Sequence, residues 1–336
     1  MNRHANLTAG YLALALLCGP LANAQITGPP GPPGSDEARM KSLNQVEPRH
    51  IIGGLPVTIV EPGAYYLIHP LVCTDGNGIT IACDDVELDL NGLSLEGQAG
   101  SSNGVFVAGT RHNITIRNGT IRYWRGAGLD ASNANESRLE CVTVYTNNGA
   151  GIMIGENALV TGCGAFKNGG NGIQAGTDAT VRDCKARDNG GNGILVSARS
   201  KIIDCSASGN SHAGIAVDSY CTVRECLATQ NVQDGILAMS KCRIINNDAG
   251  ENSQNGIRLQ GSGSRVDGNN VTDNGTGIFI DDNGGFGNLI VRNTASGNTN
   301  GYATSTIGDF LGQVLAGPEI QGNEFSTTDP WANFEF

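Results

Sequence analysis

Late in the chain, Arg258, Gln260, Asp281 and Asp282 put two carboxylates, a guanidinium and a carboxamide within one short stretch. Carboxyl groups can give and take protons or hold calcium, and an arginine pairs with the acid group of a sugar. Arg258, Asp281 and Asp282 are therefore the candidate catalytic residues for cleaving or modifying an acidic polysaccharide, with Asp218 and Gln260 as substrate contacts. The same composition also suits a plain surface loop, because Asp281-Asp282-Asn283 is turn-forming. A second candidate lies between residues 111 and 138, where Arg111, His112, Arg117, Arg122, Arg125 and Arg138 surround Tyr123 and Trp124. Aromatic faces stack on sugar rings and arginines pair with carboxylates or sulfates, so Arg122, Tyr123, Trp124 and Arg125 are candidate contacts for a polyanionic glycan. Packing of Tyr123 and Trp124 over an irregular coil is the competing reading.

Metal chemistry finds less support. Cys163, Cys184, Cys205 and Cys226 are spaced 21 residues apart, as are Cys221 and Cys242, and no C-x-x-C pair occurs. Thiols repeated at one phase of a stack form a line, whereas zinc requires ligands that converge as a tetrahedron. A mostly reduced column of small buried side chains is expected instead. Cys73 and Cys83 flank Thr74-Asp75-Gly76-Asn77-Gly78 and are the expected disulfide of an exported protein. His50, His69, His112 and His212 are dispersed. Gly169-Gly170-Asn171-Gly172 opens like a calcium-binding nonapeptide, but Gln174 stands where that motif needs Asp. No cofactor is evident, and calcium on the carboxylates is the one cation left open.

For Arg258 to meet Asp281 across 23 residues, the chain must return to one face in every coil. A glycine followed by an apolar residue recurs from Gly104-Val105 to Gly301-Tyr302, and from Gly151-Ile152 to Gly277-Ile278 the step is 21 residues, six times in succession. Such a period means a solenoid. Within each period the apolar residues alternate, as in Ile152-x-Ile154 and Ile194-x-Val196, which is strand periodicity. Upstream, Val160-x-x-Cys163 aligns with Val181-x-x-Cys184, Ile202-x-x-Cys205, Val223-x-x-Cys226 and Ile244-x-x-Asn247. Five residues beyond the last position of each stands an asparagine: Asn168, Asn189, Asn210, Asn231 and Asn252, continued by Asn274 and Asn298. Each coil is thus expected to hold three short strands separated by bends. Coils stacked at ~4.8 Å would let each buried Asn bond the one above and below, and Gly and Asn are expected at the bends because both tolerate positive φ. Arg258 then falls between two inward residues of a Gly-Ile strand, and Asp218, Gln260 and Asp281 fall just after such strands.

The pattern resembles the right-handed parallel β-helix repeats of the pectin-lyase-like superfamily, most closely the V-x-x-N-x-x-x-x-N-x-x-x-G-I repeat of NosD-type periplasmic proteins. The resemblance covers residues 71–301, with Cys in place of the first Asn in four consecutive coils. It implies an all-β, single-stranded right-handed parallel β-helix of about ten 21-residue coils with terminal caps. That superfamily includes lyases, hydrolases, epimerases, esterases, adhesins and phage tailspikes, so the fold does not choose a function. The polygalacturonase N-T-D, H-G and R-I-K motifs and the epimerase D-P-H-D motif are missing here. A NosD-type resemblance implies copper delivery, but no His/Met/Cys cluster of ligand spacing accompanies it.

Composition agrees with a repeat. The chain has 336 residues, 49 glycines and 34 asparagines, with 39% hydrophobic and 5% aromatic residues, a bias that suits stacked bends rather than two globular cores. Its formal charge of -11 argues against nucleic acid as partner. Arg3, the apolar run Leu12–Leu17 and Ala22-Asn23-Ala24 read as a secretory signal peptide over 1–24, leaving no integral membrane segment after cleavage. A Gly/Pro linker and short helical cap are expected over 25–50, the β-helix over 51–301, and a C-terminal cap over 302–336 with Phe325, Trp331, Phe334 and Phe336 as its apolar material. The expected product is an exported protein, at the cell surface or in the periplasm, that binds a polysaccharide. Its rivals are a lyase or related glycan-modifying enzyme and a structural or adhesive rod.

Overall fold

The computed structural model describes residues 49–281, 287–305, 309–316 and 329–335. The expected signal peptide and helical cap lie outside the described residues, as do Asp282, Phe325 and Phe336. Every element among the described residues is a β-strand, and all pairings join parallel strands of successive coils into a right-handed β-helix.

A typical coil runs through Ile152–Ile154, Leu159–Thr161 and Gly164–Phe166. Its apolar residues alternate inward, so Ile152, Ile154, Val160 and Ala165 are buried. Registration is strict: Ile152 pairs with Ile173, which pairs with Ile194. Among the described residues twelve strands stack on the Gly-Ile face, from Val57–Ile59 to Asn300–Thr304, and delimit about 11 turns. The expectation of about ten coils omitted Val57–Ile59 and Ile79–Ile81, which lie before the first Gly-apolar pair counted in the sequence.

The asparagine ladder forms, and it begins one coil earlier than expected, at Asn147. Asn147 Nδ2 donates to Asn168 Oδ1 at 2.9 Å, and the same bond repeats from Asn168 to Asn189, Asn210, Asn231, Asn252, Asn274 and Asn298 at 2.9–3.0 Å. Each interior amide is fully used. Asn210 accepts from the N–H and Nδ2 of Asn189, and donates to Asn231 Oδ1 and to the carbonyl of Ala186. A buried carboxamide is tolerated because none of its polar groups lacks a partner.

The bends themselves differ from expectation. The ladder asparagines do not adopt positive φ; the residue before each does, and it is usually not glycine: Lys167 (53°), Asp188 (58°), Gln230 (58°), Glu251 (55°) and Asp273 (55°). The glycine of the Gly-Ile pair is needed for space. A Cβ on Gly193 would lie 2.6 Å from both Asn210 Nδ2 and the Gly214 carbonyl oxygen.

The thiols occupy a second polar column in the interior. Cys226 N–H donates to Asn247 Oδ1, and from there Asn247, Asn269, Asn293 and Asn333 form a ladder of their own. Cys163, Cys184, Cys205 and Cys226 continue that column with side chains that donate to backbone carbonyls instead. Cys73 and Cys83 form no disulfide, contrary to expectation. Thr74–Gly76 continue the strand Leu71–Gly76 rather than turning, so Cys73 Sγ faces the Asp75 carbonyl while Cys83 Sγ faces Ile59 in the coil below. All nine described cysteines are free, and Cys141 is the exposed one. The pKa of Cys184 is pushed up to about 12 by the neighbouring Cys163 and by burial, and that of Cys205 to about 12 by Cys184 and burial. Alkylation of the folded protein at pH 8 is therefore expected to label Cys141 within minutes and spare the column, with all nine labelled after unfolding; rapid native labelling of Cys184 or Cys205 would contradict this packing.

At the far end, Asn333–Glu335 pairs with Thr294 and Ala295, and Glu335 accepts the N–H of Gly301. Asn333–Glu335 thus extend the sheet beyond the strand Thr294–Ser296.

Candidate functional site

On the Gly-Ile sheet, Arg258 stands between Leu237 and Phe279 in cross-strand register, its guanidinium 5.8 Å from the Phe279 ring centre. Its Nη2 donates to Asp281 Oδ2 at 2.5 Å, so the structure brings this sequence-predicted pair together. Its Nε is buried without a hydrogen-bond partner. Gln260 is half-buried on the same strand side, between Met239 and Asp281 in the stack of coils. Asp218 does not join the cluster. Three coils separate it from Asp281, about 14 Å at strand spacing, and its carboxylate accepts the N–H of Ser219. Asp282 lies outside the described residues.

The sequence reading missed Asp234. This carboxylate is 2% exposed and its Oδ2 lies 4.0 Å from Arg258 Nη1. It occupies the position before the Gly of a Gly-Ile pair, where other coils carry Asn103, Asn171, Asn192 and Asn255, and that phase was available as a signal. Those residues form an outer ladder: Asn171 Oδ1 accepts the N–H of Asn192, whose own Oδ1 accepts the N–H of Ala213. Asp234 Oδ1 does the same for Asn255, taking its Nδ2 at 2.7 Å. Burial pushes the Asp234 pKa above the ordinary carboxylate value, against the opposing pull of Asn255 and Arg258.

A raised folded pKa means that the native state keeps this proton to higher pH than the unfolded chain does. The contribution of Asp234 to stability is therefore full in acid and is lost as pH rises through the folded value. Asp234→Asn keeps the acceptor and removes the charge, and it is expected to raise stability at pH 7 and flatten the decline above the acid range. Thermal unfolding between pH 4 and 8 checks this; a variant that parallels the parent at every pH would contradict it.

Three arginines of the arginine-rich stretch, Arg117, Arg122 and Arg138, are paired with acids from within the fold. Arg122 donates to Glu96 (Nε to Oε1, 2.9 Å) and to Tyr145, and hydrogen bonding from Arg122 holds Glu96 below the usual carboxylate range. Arg117 pairs with Glu87 and Asp89, and Arg138 lies 3.6 Å from Glu140. Trp124 as a glycan contact is corrected: it is wholly buried, with Nε1 donating to the Leu95 carbonyl, and offers no ring face. Its bulk sits against Gly78, Gly97 and Gly104. Tyr123 is exposed and packs edge-on against Tyr145, while Arg125 is exposed beside it.

Among the described residues no three acids, histidines or cysteines converge as a metal site would require. No helix among them is long and apolar enough to cross a membrane.

The family model of the right handed beta helix region matches residues 77–222 and 176–325. The chain belongs to that family. The solenoid is similar to the mannuronan C-5 epimerase AlgE6 A-module of Azotobacter vinelandii, at 16% identity over 85% of this chain and 88% of that one, with a TM-score of 0.63. It is also similar to the Dettilon tailspike protein, at 17% identity over 72% and 62%, with a TM-score of 0.53. The periplasmic alginate epimerase AlgG gives 14% identity over 75% and 77%, with a TM-score of 0.50. No curated protein matches the chain. At these identities the β-helix is what is shared.

Proposed function

We propose that this chain is an exported polysaccharide-binding protein, acting in the periplasm or at the cell surface, whose ligand lies along the Gly-Ile sheet across Arg258, Phe279, Gln260 and Asp281. The observation that carries the reading is the pairing of a ring face with a guanidinium on an open, parallel sheet: Phe279 and Arg258 stand in register, and neighbouring outward residues such as Ala216 and Leu237 leave the surface flat. A sugar ring can stack on the one and hydrogen-bond to the other. Two of the similar structures are named epimerases of mannuronan or alginate, which supports a glycan as the ligand class.

A second reading, modification of the glycan, is favoured by one feature. Asp234 is a buried carboxyl with a raised pKa that shares the Arg258 guanidinium with Asp281, an arrangement suited to proton transfer. A panel of acidic and neutral polysaccharides tests both, read for binding and for new unsaturated or reducing ends or altered sugar configuration. Binding weakened by Arg258→Gln with no chemical change supports the first reading. Turnover that disappears in Asp281→Asn establishes the second. No binding to any glycan overturns both.

A further inference from the structure

A different face of the solenoid carries a feature that the Gly-Ile sheet lacks. In five consecutive coils the second strand turns one cation outward: Arg182, Lys201, Arg224, Arg243 and Arg265. Their inward neighbours Val181, Ile202, Val223, Ile244 and Val266 are buried, which fixes the direction of the charged side chains. Parallel register sets Arg182 level with Ile203, Lys201 with Thr222, Arg224 with Ile245, and Arg243 directly opposite Arg265. At strand spacing the stripe runs for ~19 Å along the axis, with one positive charge every ~4.8 Å. The first four are exposed and Arg265 is half-buried.

Little on the molecule neutralises this row. The one acid on those strands, Asp267, is already gripped by Arg265 (Nη2 to Oδ2, 2.7 Å) and by Arg292 (Nε to Oδ1, 2.7 Å), two cations for one carboxylate. Although burial raises its pKa, the two arginines hold Asp267 below the usual range. Asp183, Asp204 and Glu225 stand at the adjoining bends, and of these Glu225 pairs with Arg224 at 2.9 Å, an exposed contact worth little. Among the described residues Arg182, Lys201 and Arg243 have no carboxylate within ion-pair distance. In a chain with 32 acidic and 21 basic residues, a row in which Arg182, Lys201 and Arg243 have no ion-pair partner is a local reversal of the overall field. Like charges on neighbouring strands repel, and a ligand of opposite sign relieves that repulsion.

We propose that this stripe binds a linear acidic polysaccharide with one carboxylate per sugar ring, its chain parallel to the coil axis. The inference rests on the reading above only in taking the partner to be a glycan; the surface is a separate one. Charge density selects the partner. Duplex DNA carries a charge every ~1.7 Å of axis, far denser than the stripe, and the acidic remainder of the protein repels it. Thr180 and Thr222 lie between the cations and add hydroxyls that suit a sugar. Trp331 closes the row: it is 45% exposed, with the Arg292 and Arg265 guanidiniums 5.4 and 5.9 Å from its ring.

The test uses the full chain with polygalacturonate, dextran and duplex DNA as probes. Combining Arg182→Gln, Lys201→Gln and Arg243→Gln is expected to weaken polygalacturonate binding about tenfold and to flatten its salt dependence. The charge-preserving set Arg182→Lys, Lys201→Arg and Arg243→Lys should bind as the parent does, and an unchanged unfolding midpoint in both sets confirms the fold. The stripe is overturned if the triple Gln variant binds polygalacturonate like the parent, or if the parent prefers DNA. Loss in Arg258→Gln with none in the stripe variant overturns the stripe alone and leaves the Gly-Ile reading intact. A parent that does not bind polygalacturonate overturns the stripe, and one that binds no glycan of the panel overturns both.

Discussion

Asn210→Ala is expected to destabilise the fold by about 3–6 kcal/mol, a large share of the stability of a typical domain. The alanine leaves the N–H and the side-chain amide of Asn189 without their acceptor inside the core, and the Ala186 carbonyl without its donor. Each stranded group costs about 1–3 kcal/mol because no water reaches it. Asn298→Ala removes the same chemistry at the end of the ladder, where the residue is half-buried and water can substitute, and about 1–2 kcal/mol is expected. Urea unfolding should show a much lower midpoint for the first variant than for the second. Equal, small shifts would mean that the ladder does not act through satisfied amides.

The second large effect is Gly193→Ala. A helix or loop glycine replaced by alanine often gains stability through the unfolded chain, and Gly53, where an added methyl would meet nothing within 4 Å, is such a site. At Gly193 the new methyl would press on Asn210 Nδ2, the Gly214 carbonyl oxygen and, at 3.0 Å, the Ala207 Cβ. All three atoms belong to the next coil, which is held in register, so relief requires the stack to part. A loss of about 3 kcal/mol is expected, against a change near zero for Gly53→Ala. Comparable unfolding midpoints for the two variants would refute the close-packing account of the Gly-Ile motif.

The architecture was legible because one physical constraint repeats: a parallel coil must present the same residue types at the same phase, and Ile152, Ile173 and Ile194 do so without drift. The role of glycine was misread because composition does not separate two reasons for lacking a Cβ. Positive φ falls instead on residues such as Lys167 and Asp188, whose side chains project outward and leave no periodic apolar mark. In the site, the Arg258–Asp281 pair followed from counting coils. Asp234 escaped because it hides in an asparagine column and declares itself only through burial. For Trp124 the sequence left packing and sugar platform side by side, and only the placement of the glycines beneath it decides for packing. The basic stripe was invisible in a net charge of -11, which averages over faces that the fold separates.

The outer column also bears on how this protein ages. Asn103-Gly104, Asn171-Gly172 and Asn192-Gly193 are dipeptides of the kind that deamidates fastest in loose chains, where the glycine nitrogen attacks the preceding side-chain carbonyl. Here each of those glycine N–H groups is engaged with the next coil, Gly104 with Ala127, Gly172 with Asn192 and Gly193 with Ala213, at 2.9–3.1 Å. The attacking nitrogen is thus turned along the axis and away from the amide it would cyclise onto. A sequence rich in chemically fragile pairs becomes durable through its stacking, and its clock should start only when a coil opens.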